Sequence, residues 1–127
     1  MLRRSINAPE APRTTGLYSQ AVEVSGATRF LHVSGQIPVS SDGSVPVTFR
    51  EQAELTWRNV TAQVKAADMS ISNIIKVTTF LGDRQYAEDN SAVRREALGD
   101  VSPALTVIIC QIYDPAWFLE IEVTAAA

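Results

Sequence analysis

Two stretches of this chain repeat apolar residues with the period of a helix, yet its strand-like runs carry Val, Ile and Phe on both faces. Two helices cover one face of a sheet. Such a chain is expected to fold as an α+β sandwich whose second sheet face meets water or another subunit. The first helical stripe is Ala53, Trp57, Val60, Val64 and Ala67, preceded by the capping-box spacing Thr48-x-x-Glu51. The second is Tyr86, Asn90, Val93 and Ala97, with Asp83 as the expected cap and Gly99 just past the end. Strands are predicted over residues 18–24, 29–34, 74–81, 104–113 and 118–124. Ser25-Gly26 reads as the turn of a hairpin joining the first two, after a Pro-punctuated arm of twelve residues. The run 104–113 is nearly all apolar, which predicts burial on both faces. The order is β-β-α-β-α-β-β. The 127 residues suit one domain, 1–127, and the uncovered apolar face predicts self-association.

Charge and residue counts exclude several functions. Eleven basic against fourteen acidic residues leave −3 at pH 7, and the basic residues adjoin only at Arg3-Arg4 and Arg94-Arg95. Nucleic-acid binding needs several cations in one groove, and this pattern offers none. One cysteine, Cys110, excludes an internal disulfide, and one histidine with one cysteine argues against a zinc site. No apolar run of 18 residues is present, so no membrane helix is expected. Asn7, Pro9, Glu10 and Pro12 stand where a signal peptide needs apolar residues, which makes the cytoplasm the expected compartment.

Few side chains suggest chemistry. Glu120 and Glu122 lie two apart in a strand, so both carboxylates point to one face. They read either as a general base with a neighbour that perturbs it, or as the solvated side of an edge strand. Asn90 sits on the apolar stripe of the second helix and needs partners there, for ligand or for loop. His32 and Cys110 read as strand residues, Trp57 as core, and Arg94-Arg95 as a solvated helix face.

In order along the chain stand Gly16-x-Tyr18-Ser19-Gln20-Ala21-Val22, Ser34-Gly35-Gln36-Ile37-Pro38, Glu51-Gln52-Ala53, Asn59-Val60 and Val64-x-Ala66-Ala67. Lys76-x-Thr78-x-Phe80, Asn90, Pro103-Ala104 and Glu120-Ile121-Glu122 follow. This series resembles the Rid (YjgF) family of reactive intermediate deaminases, from about Ala11 to Ala125. The resemblance implies a chorismate-mutase-like mixed sheet with two helices on one face, and a homotrimer with clefts between subunits. It implies hydrolysis of enamines and imines, such as 2-aminoacrylate and 2-iminopropionate, to 2-oxo acids and ammonia, without metal or organic cofactor. It also implies site roles. Glu120 positions the attacking water, Tyr18 lines the cleft, Asn90 contributes to it, and Gly35 and Val107 offer backbone groups. The arginine that clamps a substrate carboxylate after Pro-Ala is replaced here by Leu105, which places the chain in an arginine-lacking subgroup. Lesser departures are Leu17 for a proline, and Val93, Glu96 and Ala97 for an aromatic run. The readings are then a hydrolase that prefers substrates other than 2-aminoacrylate, and a trimeric small-molecule binding protein without turnover. A ribonuclease or translation inhibitor conflicts with the acidic balance.

Overall fold

The structure, a computed structural model describing residues 1–127, contains six strands and two helices. They are β1 (Leu2–Ile6), β2 (Ala21–Ser25), β3 (Phe30–Gln36), α1 (Phe49–Ala66), β4 (Ile74–Leu81), α2 (Ala87–Leu98), β5 (Ala104–Ile109) and β6 (Leu119–Ala126). The main sheet has the order β3-β6-β4-β5. β6 is antiparallel to β3 and to β4, and β5 is parallel to β4. β3 and β4 are therefore parallel too, and both helices are crossovers between parallel strands. The two crossovers step the same way across the sheet. Crossovers share one hand, so both helices land on the same face and the other face stays bare.

Period-two alternation in β6 decides what each face receives. Leu119, Ile121, Val123 and Ala125 are buried under the helices. They join Trp57, Val60 and Val64 of α1, Val93 and Leu98 of α2, and Ile74, Val77 and Leu81 of β4 in one core. Glu120, Glu122 and Thr124 point the other way, registered against Phe80, Thr78 and Lys76 of β4. Those in turn lie beside Ile108, Thr106 and Ala104 of β5. The Thr48 half of the expected capping box forms, its hydroxyl accepting from the Glu51 amide at 3.2 Å, while Glu51 makes no return hydrogen bond.

Several expectations are corrected. Ser25-Gly26 does not fold β2 onto β3. β2 pairs antiparallel with β1, which lies inside the supposed arm, and β3 takes β6 as its neighbour. Gly26 has a positive φ of 71°, as a tight turn needs, but the partner that wins is β1, farther away in sequence than β3 and held in place by Arg3. Its guanidinium donates to the carbonyls of Ser72 (3.1 Å) and Ile74 (2.8 Å), fixing β1 against the start of β4. Asp83 caps a single 3-10 turn over Arg84–Tyr86, and α2 starts after it. The run 104–113 is not buried on both faces. β5 stops at Ile109 and is an edge strand, with Val107, Ile108 and Ile109 39%, 42% and 41% exposed. Cys110 lies just beyond it, half-buried.

Candidate functional site

Glu120 lies over a glycine. The β3–β6 register shifts between Val33 and Gln36, so Ser34-Gly35 bulges out of the ladder beside Glu120. A β-carbon on Gly35 would stand 2.7 Å from the Glu120 Cδ, 2.9 Å from Cγ and 3.0 Å from Oε1. The glycine is thus required by close approach: its missing side chain is the space the carboxylate fills. Glu120 is half-buried and belongs to none of the ion pairs or side-chain hydrogen bonds of the chain. Both its oxygens are free to accept from water or a ligand. Glu122 shares its face, as the spacing predicted, and is exposed.

The remaining predicted residues form a second group. Leu105 and Val107 are registered beside Val77 and Thr79, so they point to the helix side of the sheet, and Leu105 packs on the core. Tyr18 is not in a strand. It precedes Ser19, whose amide donates to the Pro103 carbonyl at 2.9 Å and which makes a lone bridge to Ala104. The Ser19 hydroxyl, in hydrogen-bonding distance of Ser5 and the Ser102 carbonyl (both 2.8 Å), ties this segment to β1 and to the approach of β5. Asn90 is 3% exposed on α2. A hydrogen bond from it to a loop, the plainer of its two readings, is not formed.

The structure therefore gathers Glu120 with Gly35, and Tyr18 with Leu105, but does not bring the two groups together in one chain. From Leu105 to Glu120 the path crosses two ladder spacings and three residues along a strand. That is ~14 Å between Cα atoms, with the side chains on opposite faces. Sequence reasoning reads Arg94 as a solvated helix residue, and names it with Arg29 and Arg84 as an arginine that could replace the missing one only from elsewhere; it is in fact only 6% exposed. The available signal was its place one helical turn beyond Asn90. A groove of about 530 Å³ between α1 and α2, lined by Trp57, Val93 and Ala97 among others, contains none of the predicted residues.

A family model described as Endoribonuclease L-PSP matches residues 8–127. A RutC family protein of Aquifex aeolicus is 37% identical over 100 residues, 78% of each chain. The crystal structure of Escherichia coli TdcF with bound serine is 30% identical, covers 98% of both chains and superposes with a TM-score of 0.74. YyfB of Yersinia pestis, described as of the Rid family, covers the whole of both chains with a TM-score of 0.87 at 22% identity, a likeness of fold. With the match running from residue 8 to the end, the chain belongs to the Endoribonuclease L-PSP family, to which the RutC and Rid (YjgF) proteins also belong.

Proposed function

We propose that residues 1–127 form one domain that works as a third of a homotrimer, hydrolysing small enamines or imines in clefts between subunits. The observation that carries the reading is the Glu120 carboxylate seated on Gly35, unengaged within its own chain and on the opposite sheet face from its own Leu105. A second copy is what would set one chain's Glu120 opposite another's Tyr18. The exposed Val107, Ile108 and Ile109 of the unpaired β5 edge, and the bare sheet face, supply apolar surface for that assembly. A relative with 37% identity over 83 residues, Escherichia coli TdcF, carries the name reactive intermediate deaminase.

The chemistry asks little of side chains. Water adds to the C=N carbon while Glu120 takes one of its protons and passes it to the nitrogen, giving the carbinolamine R₂C(OH)NH₂. Glu120 then takes the hydroxyl proton and delivers it to the amine, the C–N bond breaks, the C=O bond forms and ammonia leaves. R₂C=NH and water become R₂C=O and NH₃. Tyr18 holds the substrate, and the backbone at Gly35 and Val107 offers polar groups to it. Leu105 supplies neither charge nor donor, so the chain falls in the arginine-lacking subgroup and is not a standard 2-aminoacrylate deaminase. The same Leu105 favours a second reading, a trimeric binder of apolar small molecules without turnover.

Ammonia and oxo-acid release from freshly generated 2-iminopropionate, and from an uncharged imine of similar size, separates the two. Hydrolysis of either above the buffer rate is expected; rates equal to buffer for both leave the binding protein. The assembly has its own test. Light scattering should give three times the chain mass of 13.8 kDa. Ile108→Asp, which buries a charge in the proposed interface, should give the chain mass itself. A wild-type monomer at micromolar concentration refutes the trimer.

A further inference from the structure

We propose that Arg94, with Asn90 and Tyr18, forms an anion subsite that takes the carboxylate of an oxo or imino acid, in place of a guanidinium at position 105. This rests on the reading of a small-molecule cleft given above. Asn90 and Arg94 are four apart on α2, hence stacked on one face one turn apart. Both are more than nine-tenths buried in the single chain. Neither belongs to any side-chain hydrogen bond or ion pair of the chain, and no polar atom of either is among those sealed from solvent. Their donors are enclosed, unspent and reachable.

A guanidinium left unpaired in such a place is costly unless an anion meets it. The chain offers none. Burial and the neighbouring Arg95 push Arg94 below its ordinary pKa, and Tyr18 is the group that acts in the opposite direction. Tyr18 therefore lies within charge-interaction range of Arg94. Its neighbour Ser19 bridges to Ala104, which brings Tyr18 near Leu105 at the start of β5. Gly16 is held against the other guanidinium, since a β-carbon there would stand 3.0 Å from an Arg95 Nη. Gly16 is thus laid against α2, and Tyr18, two residues on, lies within charge-interaction range of its free cation. A planar carboxylate accepts two parallel hydrogen bonds from a guanidinium, and the Asn90 amide and Tyr18 hydroxyl add neutral donors. The charge of the substrate is then read from α2, and Leu105 leaves an apolar wall at the usual clamp position.

The test is calorimetric binding of 2-oxobutyrate, a stable acid of the product class, and of its uncharged methyl ester. Arg94→Met and Arg94→Gln should weaken the acid about thirtyfold or more and leave the ester unchanged, whereas Arg94→Lys, which keeps the charge but not the bidentate fork, should fall between them and wild type. Without ligand, both neutral variants should melt a few degrees higher than wild type, because an unpaired buried charge has been removed. Acid binding unaltered in both neutral variants, no acid binding by the wild type, or a fall in melting temperature in both overturns the subsite. Hydrolysis measured in parallel keeps the two readings apart. Turnover with KM for 2-iminopropionate unchanged in Arg94→Met leaves a hydrolase and overturns the subsite. Arg94-dependent acid binding without turnover in any variant keeps the subsite and removes the hydrolase.

Discussion

Gly35→Val should lower imine hydrolysis about as much as Glu120→Gln does, by roughly 10²–10⁴-fold, although it leaves every titratable group in place. The first atom of any side chain at position 35 would lie 2.7 Å from the Glu120 Cδ, well inside contact distance. β3 cannot yield easily, because β6 is pinned on its other side along the whole length of β4. The glutamate is the movable partner. It must rotate away, and its oxygens then leave the place from which they would take a proton from water. Since the atoms displaced belong to the end of a flexible side chain, folding should survive with the melting temperature within a few degrees of wild type. The fall is expected mainly in kcat, because the carboxylate acts on water, with a smaller rise in KM because the backbone at position 35 also offers polar groups to the substrate. Gly35→Ala tests the same point with a smaller group. Turnover within threefold of wild type in Gly35→Ala and Glu120→Gln alike would show that Glu120 is not the working acid.

The parts of this design that the sequence discloses are those set by local periodicity. The alternation Leu119, Ile121, Val123 against Glu120, Glu122 predicts the two faces of β6, and the stripe from Ala53 to Val64 predicts the packed side of α1. What local pattern does not carry is pairing. The turn at Ser25-Gly26 is compatible with a hairpin in either direction, and the choice of β1 as partner depends on Arg3 reaching carbonyls some seventy residues away. The apolar run 104–113 has the composition of a central strand but lies at an edge, since composition reports that the strand avoids water and not what covers it. Arg94 shows the same limit from the other side. A charged residue beside another reads as solvated, and only the packing of the whole chain encloses Arg94. Recognition of the family depended on motifs spread over the chain, which the fold separates into two groups rather than one.

Gln52→Leu should destabilise the protein by about 3–5 kcal/mol, the largest stability loss expected from a single side chain outside the apolar core. Gln52 is 1% exposed, and its amide is fully used. Nε2 donates to the carbonyls of Pro46 and Ala116, both at 3.0 Å, and Oε1 accepts from the Phe118 amide at 2.8 Å. Three loop groups from either side of the sequence converge on one side chain of α1. Leucine matches its bulk but leaves two carbonyls and one N–H, all part-buried, without these partners, each costing up to about 1–3 kcal/mol and not fully additive. The melting temperature should fall by roughly 10–20 °C for a chain of this size. The effect reaches the site as well. Phe118 is held from both ends, its amide by Gln52 and its carbonyl by the Gly82 amide at 2.8 Å, and it directs the chain into β6 two residues before Glu120. Activity measured well below the melting temperature should therefore drop too. Gln52→Glu is the informative companion. The charged carboxylate keeps the acceptor for Phe118 but faces two carbonyls, so its pKa in the folded protein should rise above the ordinary carboxylate value. Stability lost at neutral pH should then return as pH falls through that raised pKa, because a protonated glutamate donates one of the two missing hydrogen bonds. A melting temperature for Gln52→Glu that declines steadily from pH 7 to 5 in parallel with wild type would show that the amide is not what joins these loops.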